Sequence, residues 1–177
     1  KRKAAARLGI ADDASLPGNR EIEDALREYQ RLFQGDVQSL DLRQRREAAV
    51  RALEFFQAFN PRLVGPVLEG LADSHSSVAL HLHAEAVEDV GRFLDEQLIP
   101  ASLQSRRVHL DRQRTEDVAV WVFSAEGLAF ELTVLPLAAL RQAPLASADG
   151  RPVRRASLAQ LRQLLADEDI ASHEADA

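Results

Sequence analysis

Two alternating histidines are the side chains of this sequence whose type and spacing could hold a metal. His81 and His83 alternate within a segment rich in Val and Leu, so on a strand both imidazoles share one face. A His-x-His pair can bind zinc or a similar metal, and Glu85, His75 or Glu131 are the candidates to complete the ligand set. The competing interpretation is two partly exposed histidines near the end of a strand.

A glycine pair precedes these histidines in the segment GPVLEGLADSHSSVALHLH, residues 65–83. Gly65 and Gly70 would let the backbone approach a phosphate closely, with amide donors lining the turn. Ser76 and Ser77 follow in a small polar loop and complete the predicted ligand-binding set. The alternative is a tight strand-to-helix connection that binds no ligand.

This segment resembles the opening motif of the nucleotidyltransferase (polymerase-β-like) superfamily, G-S-x-x-x-G-x-A-x-x-x-S-D-x-D-L. Read without gaps, the two glycines of the motif fall on Gly65 and Gly70, and its loop serine falls on Ser76. Its two metal-binding aspartates fall on Ser77 and Ala79. The resemblance therefore covers the glycine scaffold but not the acidic pair.

The resemblance implies magnesium-dependent nucleotidyl transfer, and this sequence departs from it at the residues that the chemistry needs. Mg²⁺ prefers carboxylate oxygens, whereas a serine hydroxyl is a weak neutral ligand and alanine is none. Pro66 replaces the serine that contacts the triphosphate in the family. A third carboxylate of the family lies in an apolar-acid-apolar pattern on a later strand, and Glu131 fits that pattern. Glu131 is thus the one catalytic candidate.

Three functions follow as alternatives. The first is a degenerate nucleotidyltransferase-like protein, a pseudoenzyme that binds a nucleotide, a small phosphorylated ligand or a protein partner without catalysis. The second is an active nucleotidyltransferase with an altered Mg²⁺ site, in which Glu131 acts with Asp73, His81 or Glu85. The third is a metal-binding protein with Zn²⁺ at His81 and His83.

The order of predicted elements is typical of an α+β fold, a nucleotidyltransferase-like mixed β-sheet with flanking helices. Residues 1–60 are predicted to form a helical segment packed on the core, with a pair of helices separated at Gly35 and a cap at Asp41. Residues 61–166 are the predicted α+β domain. The acidic residues 167–177 are predicted to fray, so that the whole is one compact unit.

Within the α+β domain, alternating patterns and turn residues predict strands, and Ser157 is the predicted cap of a last helix. Trp121, in the middle of a strand, is predicted to be a core residue. The predicted strands and the intervening helix are a short strand and turn at 62–68, strands at 77–83 and 106–110, a helix at 85–97, and a hairpin of 118–124 with 128–135.

Arginines cluster in two places. Those of the second predicted helix alternate with Glu and are predicted to lie on a solvated face; they are Arg43, Arg45, Arg46 and Arg51. Those of the late loop could form an anion site or decorate a turn; they are Arg151, Arg154 and Arg155.

Charge and composition exclude several classes of protein. The net charge of −6 and the pI of about 5.4 argue against nucleic acid as a partner. The absence of cysteine excludes disulfides, thiolate metal sites and cysteine nucleophiles. No apolar run approaches the roughly 18 residues of a membrane helix, and a cytoplasmic location is predicted. Self-association through the N-terminal helices is a further expectation.

Overall fold

The computed structural model describes residues 19–177, apart from the side chains of Asn19 and of residues 29–37. The chain divides into two units between Leu40 and Asp41. The elements are, in chain order, α1 (Asn19–Phe55), a 3-10 turn (Gln57–Phe59), β1 (Arg62–Val64), α2 (Pro66–Glu69), β2 (Val78–His83), α3 (Val87–Glu96), β3 (Ser102–His109), β4 (Thr115–Ala125), β5 (Leu128–Leu135), a second 3-10 turn (Leu137–Leu140) and α4 (Leu158–Ala175).

The five strands form one mixed sheet in the order β1-β2-β5-β4-β3. β2 and β5 run parallel, and the other three neighbouring pairs are antiparallel. The predicted α+β class with a mixed sheet is confirmed. Within residues 19–177, no helix combines the length and the apolar character that crossing a bilayer requires.

The predicted pair of N-terminal helices is wrong, because a single helix runs from Asn19 to Phe55. Gly35 lies inside it. A glycine in a helix interior costs only about 1 kcal/mol relative to alanine, and no proline follows to stop elongation. Asp41 is not a cap either, since its carboxylate lies 3.7 Å from the Arg45 guanidinium one turn further on. The division between Leu40 and Asp41 assigns residues 41–55 of α1 to the same unit as the sheet.

The main core lies between one face of the sheet and the helices. β2 contributes Val78, Leu80 and Leu82, whose side chains are completely buried. Leu53 of α1 and Phe56, the residue directly after this helix, pack against them in the same core. Because side chains alternate along a strand, the residues between them face the other side of the sheet. A smaller apolar cluster covers part of that second face; it comprises Leu110, Val118, Leu135 and Ala139.

The predicted hairpin is confirmed as β4 and β5, with a connection of two residues. Ala125 pairs with Leu128, so that Glu126 and Gly127 form the turn, with φ of 54° and 78°. Two successive positive φ values are the signature of a type I′ turn, whose twist matches that of the strands. The strand predicted at residues 106–110 is the C-terminal part of the longer β3.

α4 continues to Ala175 and so includes most of residues 167–177, the segment predicted to fray. Its start is as predicted: the Ser157 hydroxyl accepts from the Gln160 amide, and the Gln160 side chain accepts from the Ser157 amide. Asp169 accepts a hydrogen bond of 2.7 Å from Arg43 on α1. This ion pair and that of the preceding residue, Glu168, with Arg46 tie the acidic end of the helix to arginines of α1.

Gly91 makes α3 sensitive to a single methyl group. A Cβ atom at this position would lie 2.8 Å from Cζ2 of Trp121, whose ring packs partly buried against the main core, as predicted for it. Glycine to alanine in a helix ordinarily stabilises by about 1 kcal/mol. Here we expect Gly91→Ala to lower the free energy of unfolding by about 1–2 kcal/mol, because a rigid ring must move. Chemical denaturation measures the change.

The same substitution in a Trp121→Phe background is the control, since the smaller ring leaves room for the methyl group. There Gly91→Ala should become neutral or stabilising. Stabilisation by Gly91→Ala in the otherwise unchanged protein would contradict the predicted clash.

Candidate functional site

Three positions of the predicted site meet on the second face of the sheet. Val64 of β1 pairs with Ala79 of β2, and Ala79 pairs with Glu131 of β5. Gly65 follows Val64 directly, and a Cβ built on it would lie 3.6 Å from the Cβ of Ala79. The first glycine, the alanine in the second aspartate position and the predicted third carboxylate are therefore neighbours, although Glu131 is 52 positions after Ala79 in the sequence.

The two glycines have conformations that other residues rarely adopt. Gly65 has φ 76° and ψ −159°, a region available essentially to glycine alone, and Gly70 has φ 80° and ψ 18°. Between them lies α2, a single turn closed by a hydrogen bond of 2.9 Å from the Leu71 amide to the Pro66 carbonyl. Pro66 has no amide hydrogen to offer a ligand. The two glycines thus make a tight turn from β1 into the loop. That the backbone amides of this turn donate hydrogen bonds to a phosphate remains a prediction.

The polar side chains of the loop that follows bond to one another. The Asp73 carboxylate accepts from the His75 amide at 2.8 Å, and the Ser76 hydroxyl accepts from the Asp73 amide at 3.0 Å. The His75 amide is the main cause that holds the pKa of Asp73 below its usual value. Asp73 and Ser76 therefore shape the turn. Ser77 is the half-buried residue directly before β2.

Arg45 anchors the C-terminal end of this loop, which corrects its predicted place on a solvated face. Only 5% of the surface of Arg45 is exposed to solvent. The guanidinium donates to the Ser76 carbonyl at 2.8 Å and to the Ser74 carbonyl at 2.9 Å. These bonds fix the backbone immediately before Ser77.

Arg46, also predicted to be solvated, anchors the N-terminal end of the loop and is 4% exposed. It donates to the carbonyls of Val67 at 2.9 Å and Leu68 at 3.0 Å, and it pairs with Glu168 of α4. Two consecutive arginines of α1 therefore hold both ends of the segment between β1 and β2. Arg43 and Arg51 do lie on the exposed side of the helix, as predicted.

Glu131 pairs in register with Ala79, and its carboxylate already has a cationic partner. Its side chain is 29% exposed, and it accepts a hydrogen bond of 3.3 Å from Arg106 of β3. Ser77 and Ala79 bring no charge. A donor set of one carboxylate with an attached guanidinium does not fit Mg²⁺, which is held by hard, preferably anionic, oxygen ligands.

His81 and His83 lie on the second face, as the alternation predicts. The Nδ1 atom of His83 lies 2.7 Å from the Asn60 carbonyl, so this nitrogen carries the hydrogen, and Nε2 is a buried acceptor with no partner among residues 19–177. Nδ1 of His81 is likewise buried, and nothing in the described part of the chain bonds to it. Burial is the main reason why the pKa of each ring lies below its usual value. The pKa of His81 is lowered to about 4. Both imidazoles are neutral at pH 7.

Two half-buried arginines stand beside these histidines. Arg62 of β1 pairs in register with His81, and Arg155 donates to the carbonyls of Ala139 and Leu140. Throughout residues 19–177, neither guanidinium forms an ion pair with a carboxylate. Burial lowers the pKa of Arg155, and the charge of Arg62 lowers it further. We name Arg62, His81, His83 and Arg155 the basic cluster.

The basic cluster does not resemble a zinc site. Two imidazoles share the face, but the described residues contain no group of three His, Asp or Glu side chains close enough to hold a metal ion. Glu85 and His75 are both exposed and lie outside β2. Two guanidinium charges nearby further disfavour a cation. Zn²⁺ at His81 and His83 stays a prediction that the geometry does not favour.

Sequence reasoning anticipated one arginine of the basic cluster and missed the other. Arg155 belongs to the late-loop group for which an anion site was one interpretation. Arg62 gave no signal, because an arginine at a strand start is ordinary. Arg62 reaches the histidines because β1 pairs with β2. The pairing of Leu63 with Ala156 then brings Arg155 of the late loop alongside β1.

Comparisons with protein-family models, with curated proteins and with solved structures give no match to this chain.

Proposed function

We propose that this chain is a nucleotidyltransferase-like protein without nucleotidyl-transfer activity, which binds a phosphorylated ligand on the second face of its sheet without a metal ion. The observation that carries the proposal is the pair of half-buried guanidiniums in the basic cluster, Arg62 and Arg155, which have no carboxylate partner among the described residues. Charge removed from water without a counter-ion is costly, and an anionic ligand would supply one.

The nucleotidyltransferase-like part of the proposal is supported by the placement of three residues. The three residues are neighbours in the sheet: Gly65 follows β1, Ala79 lies on β2 and Glu131 lies on β5. A nucleotidyltransferase-like site would require the same proximity of its glycine turn, its aspartate strand and its third acidic residue. In the sequence Glu131 lies far outside the motif at residues 65–83. Ser77 and Ala79 stand where the resemblance places the acids that would bind Mg²⁺, and Glu131 is paired with Arg106.

The rival function is an active nucleotidyltransferase with an altered metal site. One observation favours it, namely that Glu131 lies next to the vacant aspartate position at Ala79. Its proposed helpers are less suitable. Asp73 is bonded within its own loop, and His81 is flanked by guanidiniums rather than by acids.

A ligand panel with two variants separates the proposal from its rival. We expect inorganic phosphate, AMP or ATP to raise the melting temperature equally with Mg²⁺ and with EDTA. Arg155→Gln should weaken the binding by about 10- to 100-fold, since hydrogen bonds to charged groups contribute about 1.5–3 kcal/mol. Glu131→Gln should preserve or strengthen it, because Arg106 loses its counter-charge. Calorimetric titration measures the affinities.

Arg154→Gln is the matched control, because its side chain is exposed and neighbours Arg155 in the sequence. It should bind like the unchanged protein. Magnesium-dependent release of pyrophosphate that Glu131→Gln abolishes would establish the rival. A panel in which no phosphate-bearing probe stabilises the protein would overturn the anion site and leave a protein partner as the remaining form of the binding function.

A further inference from the structure

A separate apolar groove lies on the helix-covered side of the sheet, away from the basic cluster. Its volume is about 270 Å³. The floor includes Ala48 and Ala52, one turn apart on α1, and the walls include Phe56, Phe123 and Phe130. All five residues are at most 9% exposed, so the groove reaches into the main core rather than lying on its surface.

The groove is large enough for a small molecule. A cavity of about 150 Å³ lined by apolar side chains stays dry and takes up benzene, so this one could hold an aromatic ring with a short chain. Phe55, 43% exposed at the edge, adds another aromatic wall. Aromatic rings pair favourably in edge-to-face and offset geometries. Phe123 and Phe130 already stack here, with ring centroids 5.0 Å apart.

The rim of the groove carries one cation and one anion, and both side chains are exposed, that of Arg51 to 58%. Arg51 lies on α1, between the two alanines of the floor, and its Nη2 atom is 3.0 Å from the Glu126 carboxylate. Glu126 is at the tip of the β4-β5 turn, and its side chain is 74% exposed. An exposed ion pair of this kind is weak. An incoming carboxylate could take over Arg51, while Glu126 would turn into solvent at little cost.

We infer that this groove binds a small aromatic carboxylate, with the ring among the phenylalanines and the carboxylate on Arg51. This groove lies on the opposite face of the sheet from the basic cluster, so its ligand is independent of the proposed function. Phe130 in the groove and Glu131 beside the basic cluster are consecutive on β5 and face opposite sides.

The test is titration of the protein with phenylbutyrate, followed by the NMR signals of the Ala48, Ala52 and Ile99 methyl groups. These three residues line the groove, so their shifts locate the ligand. We expect saturable changes with a dissociation constant of about 1 mM or tighter. Arg51→Gln should weaken the binding about fivefold, and Glu126→Gln should tighten it by a similar factor, since the arginine is then free.

Phenylbutanol is the neutral control ligand, and Arg92→Gln is the matched control variant, because Arg92 is exposed on α3. Phenylbutanol should bind about fivefold more weakly than phenylbutyrate and should not respond to Arg51→Gln. Ala52→Leu should block both ligands by filling the groove, with its fold checked by its melting temperature. Absence of saturable methyl shifts, equal binding to Arg51→Gln, or tighter binding of phenylbutylamine would each overturn the inference.

Discussion

Replacing Arg46 with methionine should lower the free energy of unfolding by about 3 kcal/mol. The substitution leaves the carbonyls of Val67 and Leu68 without their donor in a place where only 4% of the arginine surface reaches water. A buried group left without its partner costs about 1–3 kcal/mol, and removing one member of a buried ion pair about 3–5 kcal/mol. Glu168 is 37% exposed and can be rehydrated, which limits the total. Denaturation in urea, or a melting temperature lower by about 10 °C, checks the value.

Arg43→Met is the control for this prediction. Arg43 is also on α1 and also pairs with an acidic residue of α4, Asp169, but its side chain is 38% exposed. Its loss should change the stability much less. Hydrogen exchange adds a local measurement: Arg46→Met should accelerate exchange between Val67 and Ser77, and Arg43→Met should not. Equal losses for both variants would show that Arg46 contributes no more than a surface ion pair.

The buried arginines also show why part of this fold could not be predicted from its sequence. Arg45 and Arg46 lie among glutamates on α1, and this composition is typical of a solvated helix face. What buries them is the row of carbonyls in the loop before β2, and a contact between residues 46 and 67 leaves no trace in local periodicity. The same reason applies to α4, where arginines of α1 hold an acidic end that local charge predicts to fray.

The predictions that succeeded depend on neighbouring residues. The sequence predicts β2 because the buried Val78, Leu80 and Leu82 alternate with residues that face the other side of the sheet. A shift of one position in the pairing would move these apolar side chains from the core face to that other face. The capping box at Ser157 and the glycine of the β4-β5 turn are equally local signals. The candidate site falls between these cases. The motif resemblance singles out Gly65, Ser77 and Ala79, but only the strand order and the bridge from β1 to the late loop bring Arg62 and Arg155 to the histidines.

Stability should also fall as the pH is lowered from about 6.5 to about 4, and His81 should account for much of the loss. Burial is the main cause that lowers the pKa of His81 in the folded protein from 6.5 to about 4, and the charges of His83, Arg155 and Arg106 act in the same direction. Between these two values the unfolded chain binds the proton and the folded chain does not, so acid favours unfolding. At about 1.4 kcal/mol per pH unit, the loss at pH 4 approaches about 3 kcal/mol.

His81→Gln should remove this part of the pH dependence, as measured by denaturation at a series of pH values. Carboxylates are a separate source of acid sensitivity. The pKa values of Asp73, Asp111 and Asp169 are lowered in the folded protein, so their stabilisation is lost below the usual aspartate value of 3.8, beneath the histidine range. An unchanged slope between pH 6.5 and 4 in His81→Gln would contradict the assignment.

An anion bound at the basic cluster should reverse part of this acid sensitivity. A negative charge beside His81 and His83 favours their protonated forms, so ligand binding raises the pKa of both rings and takes up protons. Reciprocally, binding should tighten as the pH falls from 7 to 5. Sulfate is the appropriate probe, because its charge stays constant in this range, whereas that of phosphate changes. If sulfate binds equally at pH 7 and pH 5, the anion does not contact the histidines, and the site must be placed on the arginines alone.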